Sequence, residues 1–461
     1  MQDDLLAQAS ASGQSSPQVR PDPDLKVRTA LDRAAARIGA KFGKQPQVEA
    51  SIRYTIGKTY FDLGLFPEAQ EQWERSLDLR RRALGEQHRD TLSSMTDLGV
   101  LYRNQGKNAE AESLYKRVAE VSTRVLGPSN PDTLMNMNNL GALYIAQAKY
   151  AQAEAVYRNL VKIDERVFGV NHIETLTATN NLGVVYRAEG KFAEAEPLFT
   201  KVLEGRRRTL GEEHPLTLQS MFNLGALSRS QGKFAQAEPL WKNVLEIRRR
   251  VLGDDHPDTL GVLDAVGILQ LDQGLYREAE VIFSKTLEGR RRVLGENHPD
   301  TLASMSNLGF AYQKQERFAE AEPLQTKNLE LRRRLLGENH PNTLITMSNL
   351  GLLYRSQEKY ADAEPLLTAV LAARRRVLGE EHPDTLRAMN DVGSLYRMQH
   401  KYAEAETVLL AAYQGMLKRS ASINNHADLA AAGRSIVELY KAWGKRDTAG
   451  EWQAKIDVMR R

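Results

Sequence analysis

The chain has 461 residues, more than a single compact core accommodates, so several domains or an elongated array are expected. Hydrophobic residues make up 41% and charged residues 26%, the composition of a soluble folded protein, and no apolar run approaches the ~18 residues of a membrane span. With 63 bases against 59 acids the net charge of +4 offers no general attraction to nucleic acid or anionic lipid, and the lack of cysteine excludes disulfides and thiolate chemistry.

Residues 1–22 are polar, carry early acids and lack the apolar block of a secretory signal; a disordered tail on a cytoplasmic chain is expected. Residues 23–43 read as an N-terminal capping helix that ends in Phe42-Gly43. From 44 to 419 the sequence repeats nine times. One ladder, Gly57, Gly99, Gly141, Gly183, Gly225, Gly267, Gly309, Gly351 and Gly393, advances by 42 residues, and an alanine ladder from Ala69 to Ala405 follows twelve residues behind it. A third ladder runs from Gly85 to Gly379 and closes each unit with Leu-Gly or Phe-Gly.

The unit that ends at Gly337 shows the pattern. Pro299 and Asp300 suit the first turn of a helix A, and Leu302, Met305, Leu308 and Tyr312 form one apolar stripe, with Gly309 beside them for a close helix approach. Gln313 to Arg317 break the pattern; Phe318, Ala321, Leu324, Leu329 and Leu335 then carry a longer helix B, in which Pro323 should cause a slight bend and Gly337 the stop. Residues 420–461 read as a divergent tenth hairpin and C-terminal cap. A lone hairpin cannot cover its apolar face, so stability must come from stacking. The fold expected is all-α, an α-solenoid superhelix of about ten helical hairpins with capping helices.

The spacing of Asn307-Leu308-Gly309, Tyr312 and Ala321 resembles the tetratricopeptide repeat, and the 42-residue period with Leu-Gly-Glu-x-His-Pro-x-Thr-Leu between units resembles the kinesin-light-chain type. The start of the array, Gln45-Pro46-x-Val48-Glu49-Ala50, is similar to repeat arrays of bacterial signalling proteins with serine/threonine kinase domains. The resemblance implies a non-enzymatic scaffold that binds proteins or peptides, with no cofactor and no metal.

A second stripe on helix A, turned about 100° from the apolar one, runs through Ala303, Ser306, Asn307, Phe310, Gln313 and Lys314. The resemblance implies that this stripe lines a concave groove. Across units it collects Asn139, Asn181, Asn223, Asn307 and Asn349, whose amides both donate and accept and suit the backbone of an extended peptide. Arg187, Arg229, Arg355 and Arg397, six residues beyond the asparagine position, favour acidic segments. The same asparagines can instead bond neighbouring backbone. Thr55, Asp97, Ala265 and Asp391 interrupt the ladder, so a groove centred on units three to five, or on seven and eight, is expected.

Six arginine triplets, such as Arg206 to Arg208 and Arg290 to Arg292, spread over about 200° of a helix and cannot form one face. Residues 294–335 hold six bases against six acids, so solvated ion pairs between units are expected rather than nucleic-acid binding. His88, His172, His214, His256, His298, His340 and His382 recur in equivalent loops, too far apart to share a metal, and read as loop or cap residues. His88-Arg89-Asp90 imitates a kinase catalytic loop without its asparagine, and Gly57-Lys58-Thr59 a phosphate loop without its first glycine. The alternative to groove binding is a structural or regulatory scaffold that acts through its outer surface or by self-association, in kinase-type signalling.

Overall fold

A computed structural model describes residues 27–420 and 426–459; among these are 21 helices and no strand. The tail expected over 1–22 lies outside the described residues. Helix α1 (Val27–Phe42) comes first, and nine A/B hairpins follow. They are α2 (Pro46–Asp62) with α3 (Phe66–Leu84), α4 (Arg89–Asn104) with α5 (Asn108–Val125), and α6 (Pro131–Ala146) with α7 (Tyr150–Phe168). Next come α8 (Ile173–Ala188) with α9 (Phe192–Leu210), α10 (Pro215–Ser230) with α11 (Phe234–Leu252), and α12 (Pro257–Asp272) with α13 (Tyr276–Leu294). The last three are α14 (Pro299–Lys314) with α15 (Phe318–Leu336), α16 (Pro341–Ser356) with α17 (Tyr360–Leu378), and α18 (Pro383–Met398) with α19 (Tyr402–Ser420). A final pair, α20 (His426–Ala442) and α21 (Arg446–Met459), ends the described chain. Two compact units divide at Leu143 and Tyr144, inside α6.

The recurring histidines start the helices. Each of the seven caps an A helix, its Nδ1 accepting the backbone N–H two residues on at 3.1–3.3 Å. That satisfies one of the donors a helix start leaves open. Asn130 does the same for α6 at 2.9 Å. The B helices of seven hairpins stop at a glycine with φ between 84° and 90°, from Gly85 to Gly379, a backbone that side chains disfavour.

The helical glycine ladder sets the spacing within a hairpin. A Cβ on Gly183 would lie 3.0 Å from the Phe199 ring, and one on Gly225 2.5 Å from the Trp241 indole. The side chain sixteen residues beyond each glycine therefore packs directly on helix A. Phe199 and Trp241 are buried there, with the alanine ladder fully enclosed behind them.

The arginine triplets differ from the expectation of solvated pairs, because their three members do three different things. The first is buried in five of the six triplets and half-buried at Arg248; Arg206 has 0% exposure. Its Nη1 donates to the Leu216 carbonyl at 3.0 Å and to Ser220 Oγ at 2.9 Å, in the first turns of the next A helix. Arg80, Arg248, Arg290, Arg332 and Arg374 bond the equivalent carbonyl at 2.7–3.0 Å. The second member pairs with an acid five residues on, as in Arg207 with Glu212. The third reaches back to the previous loop, as in Arg250 with Glu213. The fan that rules out a common face is what lets each arginine find its own partner.

Within the second unit, successive A helices such as α14, α16 and α18 approach one another directly, while successive B helices stand further apart. A stack that crowds its A helices and splays its B helices bends toward the A side, so the A helices line the inner face.

Candidate peptide-binding face

The second stripe of helix A is the face that stacking leaves open. On α14, Leu302, Met305 and Leu308 are buried, whereas Ala303, Asn307, Phe310 and Gln313 keep part of their surface. All five ladder asparagines, Asn139, Asn181, Asn223, Asn307 and Asn349, are half-buried. Asn139 belongs to the first unit and the other four to the second.

Two of the amides are already engaged. Asn223 Nδ2 donates to Asn180 Oδ1 at 2.9 Å, and Asn180 Nδ2 donates to Asn181 Oδ1 at 3.2 Å. Asn180 is itself buried, so Asn181 and Asn223 help fasten α8 to α10. Asn307 and Asn349 make no side-chain hydrogen bond within the described residues and keep all their donors and acceptors for a ligand.

Arg187, Arg229, Arg355 and Arg397 are half-buried too. Burial, with Arg229 close by, holds the Arg187 pKa below the usual arginine value. The Nε of Arg187 and that of Arg397 are buried without a hydrogen-bond partner. Arg229 pairs with Asp272 on α12, so its charge is compensated in the array itself. Burial lowers the Arg355 pKa as well, against the opposing pull of Asp391. Asp391 stands at the asparagine position of α18, and burial raises its pKa while Arg355, Arg374 and Arg387 pull it down. The departure from asparagine at 391 thus places a carboxyl group among arginines at that end of the face.

One element of the face is absent from the sequence reading. In the fourth to eighth hairpins the residue after the helical glycine forms a half-buried apolar column, Val184, Ala226, Ile268, Phe310 and Leu352. Only Phe310 is anticipated from the single unit; the rest follow once position 310 is stepped by 42. The face therefore offers amides, an apolar strip and cations side by side, which is chemistry for holding a polypeptide. Among the described residues no group of three or more histidines and acids is placed to hold a metal ion, and no helix is long and apolar enough to cross a membrane.

Several solved structures resemble this architecture. Kinesin-light-chain-type repeats of a Podosopora anserina protein are 26% identical over 44% of this chain and 95% of that one, with a TM-score of 0.38. BtubC (BKLC) from P. vanneervenii is 18% identical over 51% of this chain and 92% of that one, with a TM-score of 0.39. A Rap protein solved in complex with Competence and Sporulation Factor is 12% identical over 81% of this chain and 99% of that one, with a TM-score of 0.50. No curated protein matches the sequence. Eight overlapping matches to the tetratricopeptide repeat, the first beginning at residue 48 and the last ending at residue 418, cover most of the sequence, and the chain belongs to the tetratricopeptide repeat family.

Proposed function

We propose that this protein-interaction scaffold holds an extended, acidic peptide segment along the inner face of its second unit. The carrying observation is the pair Asn307 and Asn349: half-buried amides on neighbouring A helices, without protein partners, on the same face as Phe310 and Leu352. Amides at regular spacing bond the backbone of a ligand whatever its sequence, and the apolar strip takes its side chains. The arginines set the sign. Arg187 and Arg397 are crowded cations with an unused Nε, and a carboxylate is the group that best relieves a desolvated guanidinium. Asp272 and Asp391 temper the field at Arg229 and Arg355, so charge preference is strongest beside Arg187 and Arg397.

The test measures fluorescence anisotropy of labelled extended peptides of acidic, neutral and basic composition, titrated with the full chain. Acidic peptides should bind tightest. Asn307→Ala combined with Asn349→Ala should weaken them by about tenfold or more, the loss of roughly one or two hydrogen bonds. Thermal unfolding should be almost unchanged, because neither amide supports the fold. Equal affinity in the double variant, or preference for basic peptides, ends this reading.

A further inference from the structure

The first arginine of each triplet belongs to a column with gaps. Arg80, Arg206, Arg248, Arg290, Arg332 and Arg374 occupy it in six hairpins, and in the second hairpin the same position is Ser122 on α5. Where the arginine is present its guanidinium meets four kinds of neighbour. Ten residues on is a carbonyl, as for Arg206 with Leu216, and fourteen on a serine, as for Arg206 with Ser220. Twenty-six back is Asp264 for Arg290, and twenty-nine back Thr177 for Arg206. Applied to Ser122, these offsets name Asp132, Asn136, Thr96 and Ser93. All four, with Ser122 itself, line one cavity of about 280 Å³ in the first unit.

The lining is rich in oxygen. Asn136 has turned inward to cover part of the missing head: its Nδ2 donates to the Asp132 carbonyl at 2.7 Å, and its Oδ1 accepts from Thr96 at 2.6 Å. The Asp132 carboxylate is held at 2.7 Å by Arg89, whose own side chain is 74% exposed and forms the rim. Asp132, Thr96, Ser93 and Ser122 therefore line, with their oxygens, a cavity at the position where six other hairpins keep a guanidinium. A planar fork of N–H donors matches that arrangement better than a compact ammonium.

We propose that this cavity binds an alkylguanidinium cation. The group comes either from an arginine side chain of a partner or from a free guanidino compound; the head sits against Asp132, Thr96 and Ser93, and its alkyl stem leaves past Arg89. The site is separate from the inner face of the second unit, and its failure would leave the acidic-peptide reading untouched.

Isothermal titration of the full chain with N-butylguanidine, and with butylamine as the matched ammonium, tests it. The guanidine should bind saturably and at least about tenfold tighter than the amine. Ser122→Arg supplies the missing head internally and should abolish binding while raising the thermal midpoint. Asp132→Asn keeps the helix start and should weaken binding about tenfold; it decides the matter if Ser122→Arg fails to fold. A capped Gly-Arg-Gly peptide separates the sources: binding as tight as butylguanidine assigns the site to a partner's arginine, and exclusion of the peptide assigns it to a free guanidino compound. Absence of saturable butylguanidine binding, or equal binding by wild type and both variants, overturns the proposal.

Discussion

Arg206 and Arg207 are neighbours in sequence and opposites in energy. The Arg206 guanidinium has left water entirely, and burial lowers its pKa to about 10, yet it stays charged near neutrality and bonds Leu216, Ser220 and Thr177. Arg206→Ala strips those groups of their partner inside the stack and should cost about 2–4 kcal/mol. Arg207 pairs with Glu212 at the surface, and Arg207→Ala should cost less than about 1 kcal/mol. Urea denaturation of both variants measures the contrast, and equal losses would refute the division of labour within the triplet. The pH behaviour is also set by single residues. Asp264, paired with Arg290 between α12 and α13, has its pKa raised by burial to about 6, above the usual carboxylate range. The folded chain thus holds this proton more tightly than the unfolded chain, so the residue's stabilising contribution is full below pH ~4 and is lost as pH rises through about 6. Asp264→Ser places there the residue type found one repeat further on, at Ser306. Stability followed from pH 4 to 7 should then fall less steeply than in the wild type, by on the order of 1 kcal/mol; an unchanged slope would show that Asp264 is ionised throughout.

Among the hairpins, α14 with α15 carries the most polar core. The ladder that packs on the helical glycine holds Trp73, Tyr115, Tyr157, Phe199, Trp241 and Phe283, then Gln325. Gln325 Nε2 donates to the Ser306 carbonyl at 3.1 Å, the same contact that the indole N–H of Trp73 makes with Tyr54 and that of Trp241 with Phe222. The amide reproduces the indole donor without its rings and leaves Oε1 buried and unbonded. Asn328 beside it bonds Leu302 and Ser306 but also leaves Oδ1 without a partner. Gln325→Trp keeps the donor, removes the orphan acceptor and adds apolar area, so it should raise stability by about 1–2 kcal/mol; a loss in chemical denaturation would mean that the site is too tight for the ring. Ladders of this kind explain why the fold was legible: three periodic positions mark the helix start, the close approach and the stop of most hairpins. The clamp of Arg206 was not legible, because the acceptor common to all six arginines is a backbone carbonyl on the next helix, which carries no side-chain signature. The candidate face was legible in part. Asn307 and Asn349 stand open as their spacing suggests, but the bond of Asn223 to Asn180 depends on how α8 and α10 align, which one unit's periodicity does not reveal.

At the scale of the molecule, a stacked array opens where its joints are weakest, since each hairpin gains its stability from its neighbours. The arginine clamp ties helix B to the next helix A in the first hairpin and in the fourth to eighth, but not in the second or third. There Ser122 and Asp164 hold the position. Asp164 is buried with an unbonded Oδ1, and burial, then the nearby Glu174, raises its pKa to about 6, so near neutrality it is a charge held at a cost. Backbone amides of α5 and α7 should therefore exchange with solvent at a lower opening free energy than those of α9, α11, α13, α15 and α17. Native-state hydrogen exchange read by mass spectrometry resolves these peptides. Asp164→Arg, which aims a guanidinium at the Glu174 carbonyl as Arg206 aims at Leu216, should slow exchange in α7 and α8 and leave α15 and α17 unchanged. Uniform protection from α3 to α17 would mean that apolar contact alone sets each joint and that the clamp adds nothing the array needs.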